Sequence, residues 1–208
     1  MKQISIALLL CLCTLAGFAQ SGKALDLKEI VSGKFTPKNI SGVIPIPGYG
    51  EHHSQMNADR TQIIKYSFKT GKPVEVLFDA ATARECTFKT FDSYSFAPDG
   101  SKLLIATETT PIYRHSYTAV HYIYSLKRNL DGKINNIVEK LSDGGPQQVP
   151  VFSPDGSQVA FVRDNNIFLV KLLYGNSESQ VTEDGKQNEV LNGIPDWVYE
   201  EEFSFNRA

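Results

Sequence analysis

One structural unit occurs repeatedly in this chain, and its repetition constrains the fold more than any other feature. The segments FAPDGSKLLIATE (96–108) and FSPDGSQVAFVRD (152–164) each place a Pro-Asp-Gly turn before a run of aliphatic and aromatic residues. Proline presets the backbone for such a turn, aspartate accepts hydrogen bonds from its amides, and glycine adopts the positive φ that the turn requires. A weaker third copy, MNADRTQIIKYSF (56–68), keeps the same register. Each copy therefore predicts a β-hairpin.

Further strand-like runs follow each of these turns. In chain order they are KPVEVLFD, HYIYSLKRN and NNIFLVKLL. Units of several strands that repeat at about 40 to 55 residues are typical of β-propeller blades. The sequence thus predicts an all-β fold in which residues 48–208 form about three blades. Because propellers close with roughly four to eight blades, we expect a partial propeller that forms the N-terminal part of a longer protein.

The beginning of the chain has a different composition from the repeats. MKQISIALLLCLCTLAGFAQ (1–20) combines an early lysine, an apolar run and small residues before Gln20. This pattern predicts a secretory signal peptide over 1–19, since the apolar run is too short to span a bilayer. The protein is then exported, and the pattern leaves open the periplasm, the outer surface and the medium. Residues 20–47 read as a connector, with a short helix predicted within ALDLKEIVSG (24–33).

Charge and cysteine content exclude several classes of protein. The chain carries 21 basic and 23 acidic side chains, a net charge of -2, and it has no basic patch with interleaved aromatic residues. We therefore predict no binding of nucleic acid.

Removal of residues 1–19 leaves Cys86 as the single cysteine, so no internal disulfide is expected. We interpret Cys86 as a half-buried small residue and not as a nucleophile.

The sequence offers no constellation for catalysis or for metal binding. A nucleophilic serine of the G-x-S-x-G type is missing, since the nearest match, GNSES (175–179), lacks the second glycine. His52 and His53 are adjacent and point to opposite faces of a strand, while His115 and His121 are too far apart in sequence to suggest a shared ion. We predict no catalytic residue, no metal and no cofactor in these residues.

Two segments remain that could recognise a ligand. DWVYEEEF (196–203) contains three consecutive glutamates, a run that usually marks a solvated turn or the acidic first turn of a helix. YRHSYTAVHYIY (113–124) contains Arg114, which in isolation reads as an exposed strand arginine. Taken together, they suggest a site for a small charged group, in which carboxylates bind an ammonium and the guanidinium binds a carbonyl or carboxylate oxygen.

These two segments also carry a resemblance to a known family. NGIPDWVYEEEF (192–203) and RHSYTA (114–119) resemble the dipeptidyl peptidase IV branch of the prolyl oligopeptidase clan of serine peptidases. The resemblance implies a secreted exopeptidase that releases Xaa-Pro or Xaa-Ala dipeptides from peptide N-termini. It also implies an eight-bladed propeller above an α/β-hydrolase domain, which supplies a Ser-Asp-His triad. That domain is absent from these 208 residues, so they are expected to be inactive alone.

The resemblance assigns roles to particular residues. It implies that Glu201 and Glu202 bind the free ammonium of the substrate and that Arg114 contacts a substrate carbonyl oxygen. It gives supporting roles to Glu200 and Tyr199 and a packing role to Trp197. The implied partners are peptides with a free N-terminus and the hydrolase domain, and the full-length protein could form a homodimer.

Two other functions stay open on the sequence. One is an exported propeller without enzymatic activity that serves as a binding or scaffold module. The other is a sister aminopeptidase of the same clan with a different specificity.

Overall fold

The computed structural model describes residues 25–37, 41–173 and 175–207. The chain divides into two compact units, residues 1–40 and residues 41–208. The predicted signal peptide, 1–19, lies outside the described residues.

In the first unit, the predicted short helix is present as α1 (Leu27–Val31), and the Asp26 carboxylate caps it by accepting a hydrogen bond from the Lys28 amide at 3.1 Å. Over the described residues, we find no helix with the length and apolar character needed to cross a membrane.

The second unit is built from strands, which fall into three consecutive groups of four. The first group is β1 (Ile44–Pro45), β2 (His52–Met56), β3 (Gln62–Ser67) and β4 (Pro73–Asp79). The second group is β5 (Ser93–Phe96), β6 (Lys102–Pro111), β7 (Tyr117–Ser125) and β8 (Val138–Lys140). The third group is β9 (Gln147–Phe152), β10 (Gln158–Arg163), β11 (Asn166–Lys171) and β12 (Ser177–Gln180). A second helix, α2 (Trp197–Phe203), follows the strands.

Within each group, every strand pairs with the next in antiparallel orientation. A four-stranded antiparallel meander is the blade of a β-propeller, so the predicted all-β fold with about three blades is confirmed. We number the blades 1 to 3 in chain order. Blade 1 begins at Ile44, so it takes two residues from the segment predicted as a connector. The proline in β1 suits an edge strand, because it cannot donate to a further strand.

The two Pro-Asp-Gly copies form the same turn in blades 2 and 3. Asp99 accepts a hydrogen bond from the Ser101 amide at 2.9 Å, and Asp155 accepts one from the Ser157 amide at 3.0 Å. The glycine of each turn has a left-handed backbone, with φ of 70° at Gly100 and 66° at Gly156. These bonds lower the pKa of Asp155 to about 2, the Ser153 hydroxyl contributing most. The predicted turn chemistry is therefore present in both copies.

The third copy keeps the turn and changes the residue that supports it. Arg60 occupies the glycine position with a φ of 56°, in the left-handed region. The acceptor is the side-chain oxygen of Asn57, which receives the amides of Thr61 at 2.8 Å and Gln62 at 3.0 Å. Asp59, the residue that aligns with the other two aspartates, has no hydrogen bond within the described part of the chain. The register of the third copy was thus predicted correctly, although its supporting residue was not.

Blade 2 is buried on both faces. On β6, Leu103 and Ile105 pack into one cluster with blade 1, while Leu104 packs into a second cluster with blade 3. Successive side chains of a strand point to opposite faces, so a continuous apolar run is required where both faces are covered. The stacking of blades therefore explains why KLLIA does not alternate between apolar and polar residues.

Candidate functional site

The site lies where a long hairpin of blade 2 meets α2. Strands β6 and β7 extend beyond their blade, pairing as far as Pro111 with Tyr117. The loop at the tip closes with a 2.9 Å hydrogen bond from the Ile112 amide to the Ser116 carbonyl oxygen. Near the tip, β7 also pairs with β9 through Thr118 and Ala119. Arg114 is thus carried at the tip of a hairpin that is held against blade 3.

A bulge sets the direction of this hairpin. The pairing of β6 with β7 shifts between Thr107 and Thr110, and Glu108 has a φ of 53°. The Asp92 carboxylate accepts a hydrogen bond from the Thr109 amide at 3.1 Å and forms a 2.9 Å ion pair with Arg60. Bulges bend a strand and redirect its side chains. The bulge therefore redirects the part of the hairpin that carries Arg114.

The glutamate run is helical, which is one of the two common interpretations of such a run, the other being a solvated turn. Asp196 caps α2, since its side chain accepts a hydrogen bond from the Tyr199 amide at 3.0 Å. The helix ends at Phe203 and is capped by Ser204, whose φ of 60° is left-handed. Consecutive residues of an α-helix point about 100° apart. The three carboxylates therefore enter three different environments.

Glu200 is buried beneath the tip of the hairpin. Its residue is only 2% exposed, and its Oε1 atom accepts hydrogen bonds from the amides of His115 and Ser116, both at 2.8 Å. Burial raises the pKa of Glu200, but the hydrogen bonds that the carboxylate accepts from the His115 and Ser116 amides outweigh burial and leave the pKa below its usual value. Glu200 is therefore a charged, enclosed group that is bound to backbone.

Glu201 is paired with the predicted arginine. Its Oε2 atom lies 3.0 Å from Nη2 of Arg114, and its Oε1 atom accepts a hydrogen bond from the Arg114 amide at 3.1 Å. The side chain of Glu201 is 12% exposed, whereas that of Arg114 is 68% exposed. The structure thus brings together two of the three residues expected to bind the substrate, and it leaves most of the guanidinium open to solvent.

Glu202 is exposed, and its side chain makes no hydrogen bond or ion pair with the other residues of the described ranges. Trp197 and Tyr199 are also exposed, at 54% and 53%. The ring of Tyr199 contacts Phe203, with 5.7 Å between ring centres. The packing role expected for Trp197 and the supporting role expected for Tyr199 stay predictions.

Other predicted residues lie away from this site. Cys86 is half-buried, as expected, and burial raises the pKa of its thiol. His121 is buried in blade 2 and contacts Gln147, while His53 stacks near Tyr66. In the ranges that the structure describes, no group of three or more His, Cys, Asp or Glu side chains is placed to hold a metal ion.

The chain is a β-propeller protein by its blades, and comparison with known proteins gives its family. Residues 97–208 match the family described as the dipeptidyl peptidase IV (DPP IV) N-terminal region. The match covers more than half of the chain, which therefore belongs to this family. The resemblance seen in the two sequence segments is thereby confirmed.

Individual relatives agree with this assignment. The chain is 33% identical to human prolyl endopeptidase FAP over 182 residues, which are 86% of this chain and 22% of that protein. It is 28% identical to a probable dipeptidyl-aminopeptidase B of Aspergillus fumigatus over 194 residues, which are 88% of this chain and 20% of that protein. The chain thus spans about a fifth of the length of these relatives.

A solved structure supports the fold. The crystal structure of Porphyromonas gingivalis dipeptidyl peptidase 4 superposes with a TM-score of 0.74 at 45% sequence identity, over 89% of this chain and 26% of that chain. The blades described above therefore have a counterpart in a solved relative of the same family.

Proposed function

We propose that this chain is the N-terminal propeller part of a secreted serine exopeptidase that releases Xaa-Pro or Xaa-Ala dipeptides from peptide N-termini. Its relatives are named as a prolyl endopeptidase and a dipeptidyl-aminopeptidase, which supports a peptidase. In this proposal, residues 1–19 direct export to an extracytoplasmic compartment. The catalytic triad comes from an α/β-hydrolase domain of the full-length protein, which could act as a homodimer.

The observation that carries the proposal is the pairing of Arg114 with Glu201 beside an open Glu202. An N-terminal ammonium is a compact cation, and ionised carboxylates are its strongest hydrogen-bond acceptors. Arg114 offsets part of the negative charge of Glu201, which lowers the cost of holding two carboxylates close together. We therefore assign the substrate ammonium to Glu201 and Glu202 together.

The arginine completes the recognition of the peptide end. A guanidinium carries five N–H donors. The contact with Glu201 occupies one side of the group, and the exposed remainder can donate to a carbonyl oxygen of the bound peptide. Ammonium and carbonyl contacts together fix the N-terminus at one distance from the catalytic serine. Such fixed positioning selects the second peptide bond and favours release of a dipeptide.

The test compares charge-neutralising variants of the full-length protein that contains this chain. Glu201→Gln and Glu202→Gln each remove one carboxylate charge, and Glu139→Gln makes the same change at an exposed position of β8. We expect kcat/KM for Gly-Pro-p-nitroanilide and Ala-Ala-p-nitroanilide to fall about 10- to 100-fold in the first two variants, as expected for a charged hydrogen bond of about 1.5–3 kcal/mol. Glu139→Gln should match the wild type.

Three outcomes would contradict the proposal. Unchanged cleavage in both glutamate variants would overturn the assignment of the ammonium site. Absence of cleavage of either dipeptide substrate by the wild-type protein would favour a binding or scaffold module. Preferential release of single residues from Ala-p-nitroanilide would favour the sister aminopeptidase.

A further inference from the structure

Three consecutive amides at the tip of the β6–β7 hairpin all donate to glutamates of α2. The Arg114 amide donates to Glu201, and the next two amides, of His115 and Ser116, donate to a single oxygen of Glu200. The partners are 84 to 87 residues apart in the chain. The backbone that carries Arg114 is therefore attached to the helix that carries Glu202.

Glu200 cannot itself bind a substrate in this arrangement, since its residue is only 2% exposed. The hydrogen bonds that Glu200 accepts are nevertheless strong, because its carboxylate is charged. A carboxylate that accepts hydrogen bonds from backbone amides is held about twice as firmly as a neutral acceptor. A buried charge persists only where such bonds replace its hydration. The buried carboxylate of Glu200 consequently joins the helix to the hairpin tip.

On the basis of the proposed function, we propose that Glu200 is a positioning residue that fixes the hairpin tip on α2 and thereby sets the place of Arg114 relative to Glu201 and Glu202. Glu200 acts through Arg114 and touches no substrate atom. The lowered pKa of Glu200 agrees with this role, because its charged form is the one that the amides bind.

A positioning role for Glu200 differs from ordinary packing because it controls where the backbone of Arg114 lies. The guanidinium of Arg114 is largely exposed and has a single ion-pair partner within the described ranges. Its position therefore depends on its backbone more than on its side-chain surroundings. A displacement of about 1 Å in a group that orients a substrate can reduce turnover by about 100-fold. Loosening the two amide contacts should accordingly affect peptide cleavage more than it affects folding.

The decisive experiment is a double-mutant cycle in the full-length protein. Glu200→Ala removes the acceptor, Glu200→Gln keeps an acceptor oxygen without charge, and Arg114→Ala removes the group that Glu200 is proposed to position. With Arg114 present, we expect kcat/KM for Gly-Pro-p-nitroanilide to fall about tenfold in Glu200→Ala and less in Glu200→Gln. In the Arg114→Ala background, Glu200→Ala should change kcat/KM less than about twofold.

Hydrogen exchange provides a readout that does not depend on catalysis. The amides of His115 and Ser116 should exchange about tenfold faster in Glu200→Ala than in wild type, with other strands of blade 2 unaffected. Glu139→Gln serves as the control in both measurements. The melting temperature shows whether each variant is folded. If Glu200→Ala does not fold, the same comparison is made with Glu200→Gln.

Each result decides between the two proposals. Loss of activity that disappears in the Arg114→Ala background, together with faster exchange, supports the positioning role. Full activity in both Glu200 variants while Glu202→Gln is impaired overturns the positioning role and leaves the ammonium site intact. An equal loss in both backgrounds also overturns it, since Glu200 would then act independently of Arg114. Full activity in the Glu200, Glu201 and Glu202 variants overturns both proposals.

Discussion

The guanidinium of Arg114 forms a 3.0 Å ion pair with the carboxylate of Glu201, although the two residues are 87 positions apart in the chain. The pair joins a hairpin of blade 2 to a helix that follows blade 3. The guanidinium is exposed to solvent, although the carboxylate is not, and ion pairs that solvent screens contribute about 0–1 kcal/mol to stability. The contact is therefore better explained by the orientation that it gives to both side chains than by stabilisation of the fold.

Replacement of Arg114 by lysine should separate charge from geometry. Lysine keeps the positive charge and loses the planar group of donors that can bind Glu201 and a carbonyl oxygen at once. We expect the apparent melting temperature of the full-length protein to change by less than about 2 °C, because the arginine is exposed. The KM for Gly-Pro-p-nitroanilide should rise about tenfold. An unchanged KM would show that charge alone is sufficient.

A pair of glycines tests the contact between a turn and the segment before β2. Gly100 and Gly71 have similar backbones, with φ of 70° and 66°. A Cβ atom at Gly100 would lie 2.8 Å from the carbonyl oxygen of Pro47, whereas one at Gly71 would meet nothing within 4 Å. Gly71→Ala should cost about 1 kcal/mol for the left-handed backbone alone. Gly100→Ala should cost about 2–4 kcal/mol, since the clash adds to that cost.

Melting temperatures of the two glycine variants provide the measurement. The expected result is a clearly larger decrease for Gly100→Ala than for Gly71→Ala. Equal decreases would mean that the chain near Pro47 moves away at no cost and that the close approach does not hold the turn.

Much of the fold follows from short-range patterns in the sequence. Turn residues predict the hairpins at Gly100 and Gly156 because φ and hydrogen bonding are local properties of the turn. The weaker copy shows the limit of such rules. Arg60 takes the same backbone as the glycines, and Asn57 replaces the aligned aspartate as the acceptor. The pattern of turn residues therefore predicts the turn at Arg60 without identifying Asn57 as the residue that supports it.

The site was predictable as a set of residues but not as an arrangement. In the sequence, Glu200, Glu201 and Glu202 are chemically equivalent. Their difference arises from the phase of α2 and from a hairpin more than eighty residues earlier. Burial of Glu200 depends on two backbone amides, which leave no trace in side-chain identity. Contacts of this kind require the three-dimensional structure.

His121 should make the stability of the protein depend on pH. Burial is the main reason that its pKa falls from 6.5 to about 4. Its Nδ1 atom lies 3.0 Å from the side-chain oxygen of Gln147, so Nδ1 carries the proton of the neutral ring. Between pH 6.5 and pH 4 the unfolded chain binds a proton that the folded chain does not. Stability is therefore lost as the pH falls through this range, by about 2 kcal/mol at pH 5.

The change in melting temperature between pH 7 and pH 5 measures this effect. We expect a smaller decrease in His121→Gln than in wild type, because glutamine does not titrate. His52→Gln, at a partly exposed position, should retain the decrease seen in wild type. The same decrease in all three proteins would assign the pH dependence to other groups.

Arg163 should stabilise the seam between blades 2 and 3. Its guanidinium lies 4.1 Å above the ring centre of Phe168 and donates to the hydroxyl of Ser142 at 2.8 Å and to Glu178 at 2.5 Å. Ser142 follows β8 of blade 2, whereas Glu178 belongs to β12 of blade 3. The arginine side chain is only 13% exposed, so these contacts are little screened by solvent.

Arg163→Lys keeps the charge but provides neither the flat face that stacks on Phe168 nor two separate donor groups at fixed positions. We expect a loss of about 1–3 kcal/mol, seen as a lower melting temperature. Arg128 offers a matched control, because it pairs with Glu75 and is half-exposed. Arg128→Lys should change the melting temperature very little, as for other exposed ion pairs. Equal effects of the two substitutions would show that the cluster around Arg163 adds no more to stability than a surface contact.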